Sequence, residues 1–348
     1  MMNTKNKKIR ILSIDGGGIR GIIPAVIVAE LEKHIGQITG EKENARIADY
    51  VDFFAGTSTG GILTCFYTAP STSQFPAKDA IDLYESEGKT IFKKHPYSKV
   101  LHWLYNEIYS AKGLEKLLKE YFRKDKLSET KKPILITAYD IIQRKAVIFN
   151  TWKAKDLDHR NYLIRDIARA TSAAPTYFEV AKIQSSTDIE STLIDGGVFA
   201  NDPTLCAYVE APKFLEIEKE SPLKIDDMYM VSIGTGRADQ VKRYEYDKVK
   251  DWGVVKWAAP VIDIMMSASA EVVKYQMEKI VETMKPKDQI NQTYIKLEPE
   301  LCNASEQMDN VKEKNIRRLK NAALNYVKDN SEILRKIAHN LVEFGKND

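Results

Sequence analysis

Strand-like runs that end in glycines most constrain what this chain can fold into. The runs are apolar and rich in β-branched or aromatic residues, and glycine breaks follow them at residues 15–21, 56–61, 195–197 and 234–236. After the first two breaks the chain continues in stretches of helical length with a mostly apolar face. This alternation predicts an α/β fold with a mainly parallel sheet and helices on both faces. Its ligand is expected at the carboxyl edge of the sheet.

Composition narrows the class of protein. The 348 residues are 43% hydrophobic, enough to bury a large core in one sizeable domain or two smaller ones. The formal net charge of +3 comes from 52 basic and 49 acidic side chains, so no overall field favours a nucleic-acid polymer as partner. The three cysteines, Cys65, Cys206 and Cys302, are widely spaced. They indicate reduced thiols and neither a disulfide framework nor a zinc site.

The N-terminal residues favour a cytoplasmic protein. Residues 3–10 are polar and basic and lead into the first strand without the apolar segment of a secretory signal. No stretch approaches the roughly 18 consecutive apolar residues of a membrane-spanning helix. We therefore expect membrane contact to be transient and peripheral.

The middle of the chain predicts further elements around the sheet. Residues 78–92 predict one helix, and the aromatic stretch at residues 95–109 predicts a loop packed on the domain rather than a flap. Residues 132–140 and 146–150 predict two adjacent strands around a polar turn at residues 143–145. Residues 36–45 predict a loop after the first helix.

Two late regions have helical spacing. The first, residues 254–284, carries the large apolar side chains Trp257, Ile262, Met265, Met266 and Met277. Such a stripe could contact lipid or a partner, but a core face against the sheet is the commoner arrangement. The second, residues 305–344, predicts two helices. We expect a catalytic domain over residues 1–300, with residues 301–348 as C-terminal helices packed on it.

One serine lies between glycines directly after the second strand-like run. The frame Gly56-x-Ser58-x-Gly60 matches the nucleophile elbow, in which a strand turns sharply into a helix and holds a side chain at the tip of the turn. The helix would begin at Thr59 and direct its positive dipole end toward the serine. A buried serine that only caps a helix gives a similar pattern. Taken alone, the frame makes Ser58 one candidate nucleophile.

The first glycine break has two functional interpretations. Gly16-x-Gly18-x-x-Gly21 between a strand and a helix matches the dinucleotide-binding fingerprint, which keeps a nicotinamide or flavin oxidoreductase open as an alternative. Asp15 would, however, place a carboxylate beside the pyrophosphate, and Arg20 occupies a position that the fingerprint leaves free. A P-loop is excluded because no Gly-Lys-Ser or Gly-Lys-Thr follows.

The second interpretation is an oxyanion hole. Consecutive glycines at a helix start expose N–H groups, and those of Gly16, Gly17 and Gly18 could stabilise an oxygen that becomes negative during acyl transfer. Each such donor is typically worth about 3 to 4 kcal/mol in the transition state. A plain turn needs fewer glycines and does not account for Arg20 beside them.

A serine nucleophile needs a base, and an aspartate is a better candidate than any histidine. The histidines are His34, His95, His102, His159 and His339. None has the small or turn-forming neighbours that would place it at a sheet edge. Asp195 ends a strand-like run and precedes Gly196 and Gly197, so it could accept the serine proton directly if it is partly desolvated. The competing interpretation is an aspartate that caps a turn.

Taken together, these motifs resemble the patatin-like phospholipase family. The resemblance covers most of residues 9–240 and includes, besides the three glycine motifs, residues 171–178, 201–203 and 232–236. It implies a three-layer patatin fold and a Ser/Asp dyad, with Ser58 as nucleophile, Asp195 as base and residues 16–18 as oxyanion hole. Where the family usually has Asn-Asn-Pro, this chain has Asn201-Asp202-Pro203, which affects the polar support of that loop.

The resemblance also implies a substrate class. Members hydrolyse acyl esters of phospholipids or galactolipids in membranes and need neither a metal nor a cofactor. Some bacterial members similar to this chain are switched on by cyclic nucleotides in antiphage defence, so a small nucleotide activator is a second hypothesis. The C-terminal helices and the basic turn at Arg144 and Lys145 motivate it, although a plain helical cap explains the helices equally well. The oligomeric state is left open.

Overall fold

A computed structural model describes residues 8–93, 107–216, 224–238, 244–284 and 293–344. The strands are β1 (Ile9–Ile14), β2 (Phe53–Gly56), β3 (Ile134–Asp140), β4 (Lys145–Asn150), β5 (Ala181–Gln184), β6 (Glu190–Asp195), β7 (Met228–Ile233) and β8 (Tyr294–Leu297). The first helices are α1 (Ile22–Thr39), α2 (Ile47–Tyr50), α3 (Thr59–Thr68), α4 (Asp82–Glu85), α5 (Gly88–Ile91), α6 (Lys112–Phe122) and α7 (Thr151–Asp156). The later ones are α8 (Ile164–Thr171), α9 (Gly197–Ala200), α10 (Thr204–Glu216), α11 (Tyr246–Val249), α12 (Val254–Met284), α13 (Glu313–Asp329) and α14 (Ser331–Glu343).

The described strands form one mixed sheet in the order β5-β6-β3-β2-β1-β7-β8, with β4 paired to β3 outside that path. β1 pairs in parallel with β2 and β7, and the pairs β2 with β3 and β7 with β8 are also parallel. The pairs β3 with β4, β3 with β6 and β5 with β6 are antiparallel. The predicted α/β fold with a mainly parallel sheet is therefore confirmed.

Helices cover both faces of the sheet. Successive residues of a strand face opposite sides. Ile9 and Ile11 of β1 belong to a core shared with α10 and α12, whereas Leu12 and Ile14 belong to a core shared with α1, α3, α13 and α14. Because both faces are buried under helices, the sheet is the middle layer of three, as the resemblance implied.

Two strands meet head to head at one edge of β3. β4 pairs along the opposite edge of β3, so β2 and β6 share the remaining one. Gly56 at the end of β2 lies opposite Ile136, and Asp195 at the end of β6 lies opposite Ala138. Only Thr137 lies between the two paired positions. Since β2 and β6 run in opposite directions, their carboxyl ends meet, and the turn after β2 lies beside Asp195.

Most predicted elements are confirmed, with two differences. The strands predicted at residues 132–140 and 146–150 are β3 and β4, and α12 extends over residues 254–284 as predicted. The predicted single helix at residues 78–92 is wrong, because a 3-10 turn (Ala77–Ile81) and the short helices α4 and α5 fill that stretch. The predicted loop at residues 36–45 begins later, because α1 continues to Thr39 and ends at Gly40, whose φ of 81° suits glycine.

The C-terminal helices α13 and α14 pack on α1, and the Arg10 guanidinium of β1 donates a hydrogen bond of 2.7 Å to the Leu341 carbonyl of α14. A domain division at residue 300 remains a prediction. Residues 95–106 of the predicted aromatic loop lie outside the described residues. Among the residues that are described, no helix has the length and apolar character needed to cross a membrane.

Candidate active site

Ser58 sits in a strained turn between β2 and α3. Its φ of 54° and ψ of −124° lie outside the regions that residues with a Cβ prefer, and its side chain is almost fully buried. The turn closes tightly, because a Cβ on Gly60 would overlap the Ile14 carbonyl and a Cβ on Gly56 would overlap the Gly60 carbonyl. The Ser58 N–H donates to the Thr171 hydroxyl at 2.8 Å, which fixes the turn against α8.

Asp195 ends β6 at the same place. Its N–H donates to the Ala173 carbonyl at 3.0 Å, and its Oδ1 accepts the Gly197 N–H at 2.7 Å. The other oxygen, Oδ2, is fully buried and has no hydrogen-bond partner among the described residues. Thr171 and Ala173, from one short segment after α8, thus hold the backbones of both Ser58 and Asp195. The sequence motif contained this segment, but its role as a shared support could not be recognised from the sequence.

The environment of Asp195 makes its carboxylate unusually basic. Burial raises the pKa of Asp195 to about 7, although the nearby Ser58 hydroxyl and the Gly197 N–H both lower it. No hydrogen bond of ordinary length and direction joins the Ser58 hydroxyl to the carboxylate. Among the described residues, a neutral hydroxyl and one backbone amide stabilise the buried charge, and the group can exchange a proton near neutral pH.

None of the histidines in the described part of the chain hydrogen-bonds Ser58 or Asp195. His34 lies on α1, where its Nε2 is 3.4 Å from a Glu30 carboxylate oxygen. His159 and His339 are exposed on a 3-10 turn and on α14. His95 and His102 lie outside the described residues.

The glycine loop, residues 16–18, adjoins the serine, since a Cβ on Gly16 would come within 3.1 Å of the Ser58 Cβ. One of the three predicted oxyanion donors is already used, because the Gly16 N–H donates to the Asn201 carbonyl at 3.0 Å. The N–H groups of Gly17 and Gly18 form no hydrogen bond within the described part of the chain. The sequence could not distinguish these three amides, because the acceptor is 185 residues away.

The space above the glycine loop is already occupied. A Cβ on Gly17 would overlap the Thr235 side chain. Gly18 has a φ of 60°, and a Cβ there would overlap the Met308 carbonyl. Glycine is therefore required here for contact with the protein's own segments, and the dinucleotide-binding alternative gains no support from this crowded loop.

Arg20 joins the glycine loop to the loop after β7. Its Nε lies 3.4 Å from the Gly17 carbonyl oxygen, and one terminal nitrogen lies 3.2 Å from the Gly236 carbonyl oxygen. Burial lowers the pKa of the Arg20 guanidinium, while Asp263 and Glu298 act in the opposite direction. Through these contacts, Arg20 holds the glycine loop and the loop after β7 together.

The two glycines after Asp195 allow neighbouring elements to approach closely. A Cβ on Gly196 would overlap the Thr137 side chain of β3, and a Cβ on Gly197 would overlap the Met266 side chain of α12. Thr137 also shares a hydrogen bond of 2.7 Å with the Thr57 hydroxyl next to the serine. These contacts fix the distance between the turn after β2 and the end of β6.

A buried ion cluster lies beneath the glycine loop, and no local pattern in the sequence predicted it. Lys296 of β8 places its Nζ 2.6 Å from Asp15 Oδ2, 2.8 Å from Asp202 Oδ2 and 3.1 Å from the Ser232 hydroxyl. Burial lowers the pKa of Lys296, but Asp15 and Asp202 outweigh it and keep the lysine charged. Burial and the charge of Asp202 raise the pKa of Asp15. The aspartate that departs from the family pattern is thus paired with a lysine 94 residues away.

Two cavities open on either side of the glycine loop. A narrow apolar pocket with about 40 Å³ of free volume is lined by Ser58 together with Ile62, Ile91, Phe92, Leu114 and Phe178. A larger cleft of about 460 Å³ has apolar walls and also the charged side chains Arg20, Arg237, Asp263, Glu271 and Glu306, after which we name it the polar cleft. Met308 lines both, so they adjoin at the loop. No group of acidic, histidine or cysteine side chains in the described ranges is arranged to hold a metal ion.

A serine in a strained strand-to-helix turn at the carboxyl edge of a three-layer α/β fold has the geometry of the nucleophile elbow that many hydrolases share. A profile described as "Patatin-like phospholipase" matches residues 12–208. The chain belongs to the patatin-like phospholipase family, and this membership supports lipid hydrolysis as its activity.

Plant relatives match most of the chain. Patatin-like protein 2 of Oryza sativa subsp. indica is 36% identical over 294 residues, which cover 77% of this chain and 72% of the relative. Patatin-like protein 4 of Arabidopsis thaliana is 33% identical over 332 residues, which cover 90% of this chain and 82% of the relative. A protein named "Probable inactive patatin-3-Kuras 1" from Solanum tuberosum is 32% identical, with coverage of 81% and 77%.

Solved structures overlap more loosely. VipD from Legionella pneumophila is 12% identical with a TM-score of 0.37, covering 93% of this chain and 67% of that protein. Human GIVD cytosolic phospholipase A2, in complex with methyl gamma-linolenyl fluorophosphonate, is 9% identical with a TM-score of 0.38, covering 97% of this chain and 60% of that protein. Overlaps of this quality carry no weight for function.

Proposed function

We propose that this protein is a lipid acyl hydrolase that cleaves fatty-acyl esters with Ser58 as nucleophile and Asp195 as the only base. One observation carries the proposal: a buried carboxylate oxygen without a partner lies beside a serine held in a strained turn. Membership of the patatin-like phospholipase family supports it. A relative named as probably inactive makes a direct assay essential.

In the first half-reaction, ionised Asp195 takes the hydroxyl proton of Ser58 while the serine oxygen attacks the ester carbonyl. The carbonyl oxygen becomes negative and accepts hydrogen bonds from the Gly17 and Gly18 N–H groups, beside the N-terminus of α3. The carbon–oxygen bond to the alcohol then breaks, and that alcohol leaves with the proton held by Asp195. The product is an acyl group on Ser58.

The second half-reaction uses the same groups in the same order. Asp195, ionised again, takes a proton from water as the water oxygen attacks the acyl carbonyl. The carbon–oxygen bond to Ser58 breaks, the serine oxygen recovers the proton, and the fatty acid leaves. The Asp195 pKa of about 7 suits this double role, because the carboxylate must both accept and release a proton at neutral pH.

The two cavities suit a substrate with one apolar and one polar part. The narrow apolar pocket beside Ser58 would take the acyl chain. The polar cleft carries side chains of both charges and would take the head group. Phospholipids and galactolipids both fit this division. Nothing at Arg144 and Lys145, an exposed turn, favours a nucleotide activator, which stays a prediction.

The proposal is tested with a fluorophosphonate and with lipid vesicles. We expect mass spectrometry to find the phosphonyl adduct on Ser58, and Ser58→Ala to lose both labelling and fatty-acid release. Ser13→Ala is the matched control, since Ser13 is a buried serine of β1 outside the site. An adduct on another residue, or normal lipid turnover by Ser58→Ala, would discard the mechanism.

A further inference from the structure

The long helix α12 has three faces with different surroundings. One face is buried against the sheet and α10 through Ile262, Val273, Met277 and Val281. A second face lines the cleft with Asp263, Ser267 and Glu271, and Lys274 of the same face lines an adjoining cavity. The third, which we name the outer apolar face, consists of the exposed residues Val254, Val261, Met265, Ala268, Val272 and Tyr275, of which Ala268 also lies at the rim of the cleft.

The outer apolar face is continuous. Its residues follow one another at intervals of seven, four, three, four and three, so they form one stripe along the helix. Val254 is 88% exposed, Val272 52% and Tyr275 61%. Single exposed apolar side chains are ordinary, but a stripe of this length on a helix of about 46 Å marks an interaction surface. The prediction that the methionines of this helix face the core is right for Met266 and Met277 and wrong for Met265.

An aromatic cluster lies at the N-terminal end of the stripe. The rings of Tyr244 and Trp252 lie 5.8 Å apart, and those of Trp252 and Trp257 lie 5.3 Å apart, both edge to face. Tyr246, nearby in the chain, is 76% exposed. Tryptophan and tyrosine, with an apolar ring and one polar group, are the side chains enriched where a protein meets the boundary between lipid and water.

The surface is continuous with the mouth of the cleft. Tyr244 of the aromatic cluster and Ile264 of α12 both line the polar cleft, which reaches Gly16. α12 also packs on α9, and its Met266 contacts Gly197, two residues after Asp195. A lipid layer that covers the outer apolar face would therefore lie at the entrance to the site.

Size and charge favour one kind of partner. A stable protein interface uses about 20 to 30 residues a side, far more than this stripe offers, whereas an amphipathic helix binds lipid through a single face. Residues 244–284 contain five lysines and seven acidic side chains, so anionic lipid would not be attracted. We propose that the outer apolar face and the aromatic cluster dock the protein on a lipid surface without net charge, with the cleft toward the lipid. The choice of lipid rests on the proposed function.

Vesicle binding tests the docking surface separately from catalysis. Every protein in this experiment carries Ser58→Ala, so that no lipid is consumed. We expect the protein with this change alone to float with phosphatidylcholine vesicles and to show a blue shift of its tryptophan fluorescence. Val261→Asp with Val272→Asp should lower the partition coefficient about tenfold or more, because each buries a charge in place of an apolar side chain. Ile142→Asp with Ile333→Asp, at exposed apolar positions elsewhere on the surface, should bind like the parent. Raising the salt concentration should not weaken binding.

A water-soluble ester separates failure of docking from failure of the proposed function. With Ser58 restored, the Val261→Asp, Val272→Asp protein should hydrolyse p-nitrophenyl butyrate at the parent rate and release less fatty acid from vesicles. Unchanged vesicle binding by this variant overturns the docking surface, whatever the enzyme does. If the parent protein is a dimer in solution and the variant is a monomer, the docking surface is also overturned, because the outer apolar face would then bind a second copy of the chain. Absence of ester turnover in the parent, with vesicle binding intact, contradicts the proposed function alone.

Discussion

Asp195 and Asp15 stand at equivalent places in the chain but have different partners. Each is a buried aspartate at the end of a strand, followed by two glycines. Asp15 has the Lys296 ammonium 2.6 Å from its Oδ2. Asp195 has only the Gly197 N–H on one oxygen and no hydrogen-bond partner on the other within the described residues. The same short motif thus gives a paired carboxylate in one place and an unpaired one in the other.

The difference teaches that the partner, and not the motif, decides what a buried aspartate can do. A carboxylate beside a buried lysine is held in place by a strong interaction and contributes to positioning the glycine loop. A carboxylate without a counter-charge remains basic enough to take a proton from an alcohol. The predictions below separate these two roles.

The largest effect is expected from Asp195→Asn, which keeps the shape of the side chain and removes the proton acceptor. Loss of a general base typically costs 10²- to 10⁴-fold, and we expect a fall of about 10³-fold or more in kcat/KM on a soluble ester. The fold should survive, because an unpaired buried charge is removed. Asp140→Asn is the matched control, since Asp140 is a buried aspartate at the end of β3 that caps a turn. Equal losses in both variants would mean that the amide substitution disturbs the fold.

Lys296→Met should mainly lower the free energy of unfolding. It leaves Asp15 and Asp202 buried without their cation, and breaking a buried pair typically costs about 3 to 5 kcal/mol. Lys320→Met removes the partly exposed pair with Glu85 and should cost at most about 1 kcal/mol. Denaturant unfolding at pH 7 measures both. A Lys296→Met protein as stable as the parent would show that the two carboxyl groups are neutral in the fold, against the comparison drawn above.

These two sites differ in how far the sequence could predict them. The strand ends, the glycines, Ser58 and the candidate base Asp195 follow from local patterns, and the resemblance joined them into one site. The pairing of Lys296 with Asp15 and Asp202 has no local signal, because the residues are 281 and 94 positions apart and a lysine in a short strand normally faces water. The broken helix at residues 78–92 and the exposed side of α12 also depend on tertiary packing, which periodicity does not contain.

The pH dependence of the parent protein tests the unpaired state of Asp195. Activity should rise with pH to a plateau, with a midpoint near 7, because only the ionised carboxylate accepts the serine proton. Stability should change in the opposite sense. A pKa raised to about 7 means that the folded state binds the proton more tightly than the unfolded chain, so this contribution is complete below about pH 4 and is lost as the pH rises through 7.

The size of that contribution is on the order of 4 kcal/mol, since each pKa unit corresponds to about 1.4 kcal/mol and the shift is about three units. Unfolding free energies of the parent and of Asp195→Asn, measured from pH 4 to 8, isolate it. The difference between the two proteins should grow in favour of the variant as the pH rises. A constant difference would mean that Asp195 is not buried in its charged form at neutral pH.

The smallest effect is expected from Asp202→Asn, which restores the usual Asn-Asn-Pro of the family. The amide oxygen can keep the hydrogen bonds from Thr204, which go to one oxygen of Asp202, but the amide N–H₂ then replaces the other oxygen and the bond from Lys296 is lost. Lys296 keeps its contacts with Asp15 and Ser232. Removing the Asp202 charge should lower the pKa of Asp15, because that charge is one of the influences that raise it. We expect stability within about 1 kcal/mol of the parent and activity within about threefold. A much larger loss would mean that the cluster beneath the glycine loop needs both negative charges, because hydrogen bonding alone would then fail to position the Gly17 and Gly18 amides.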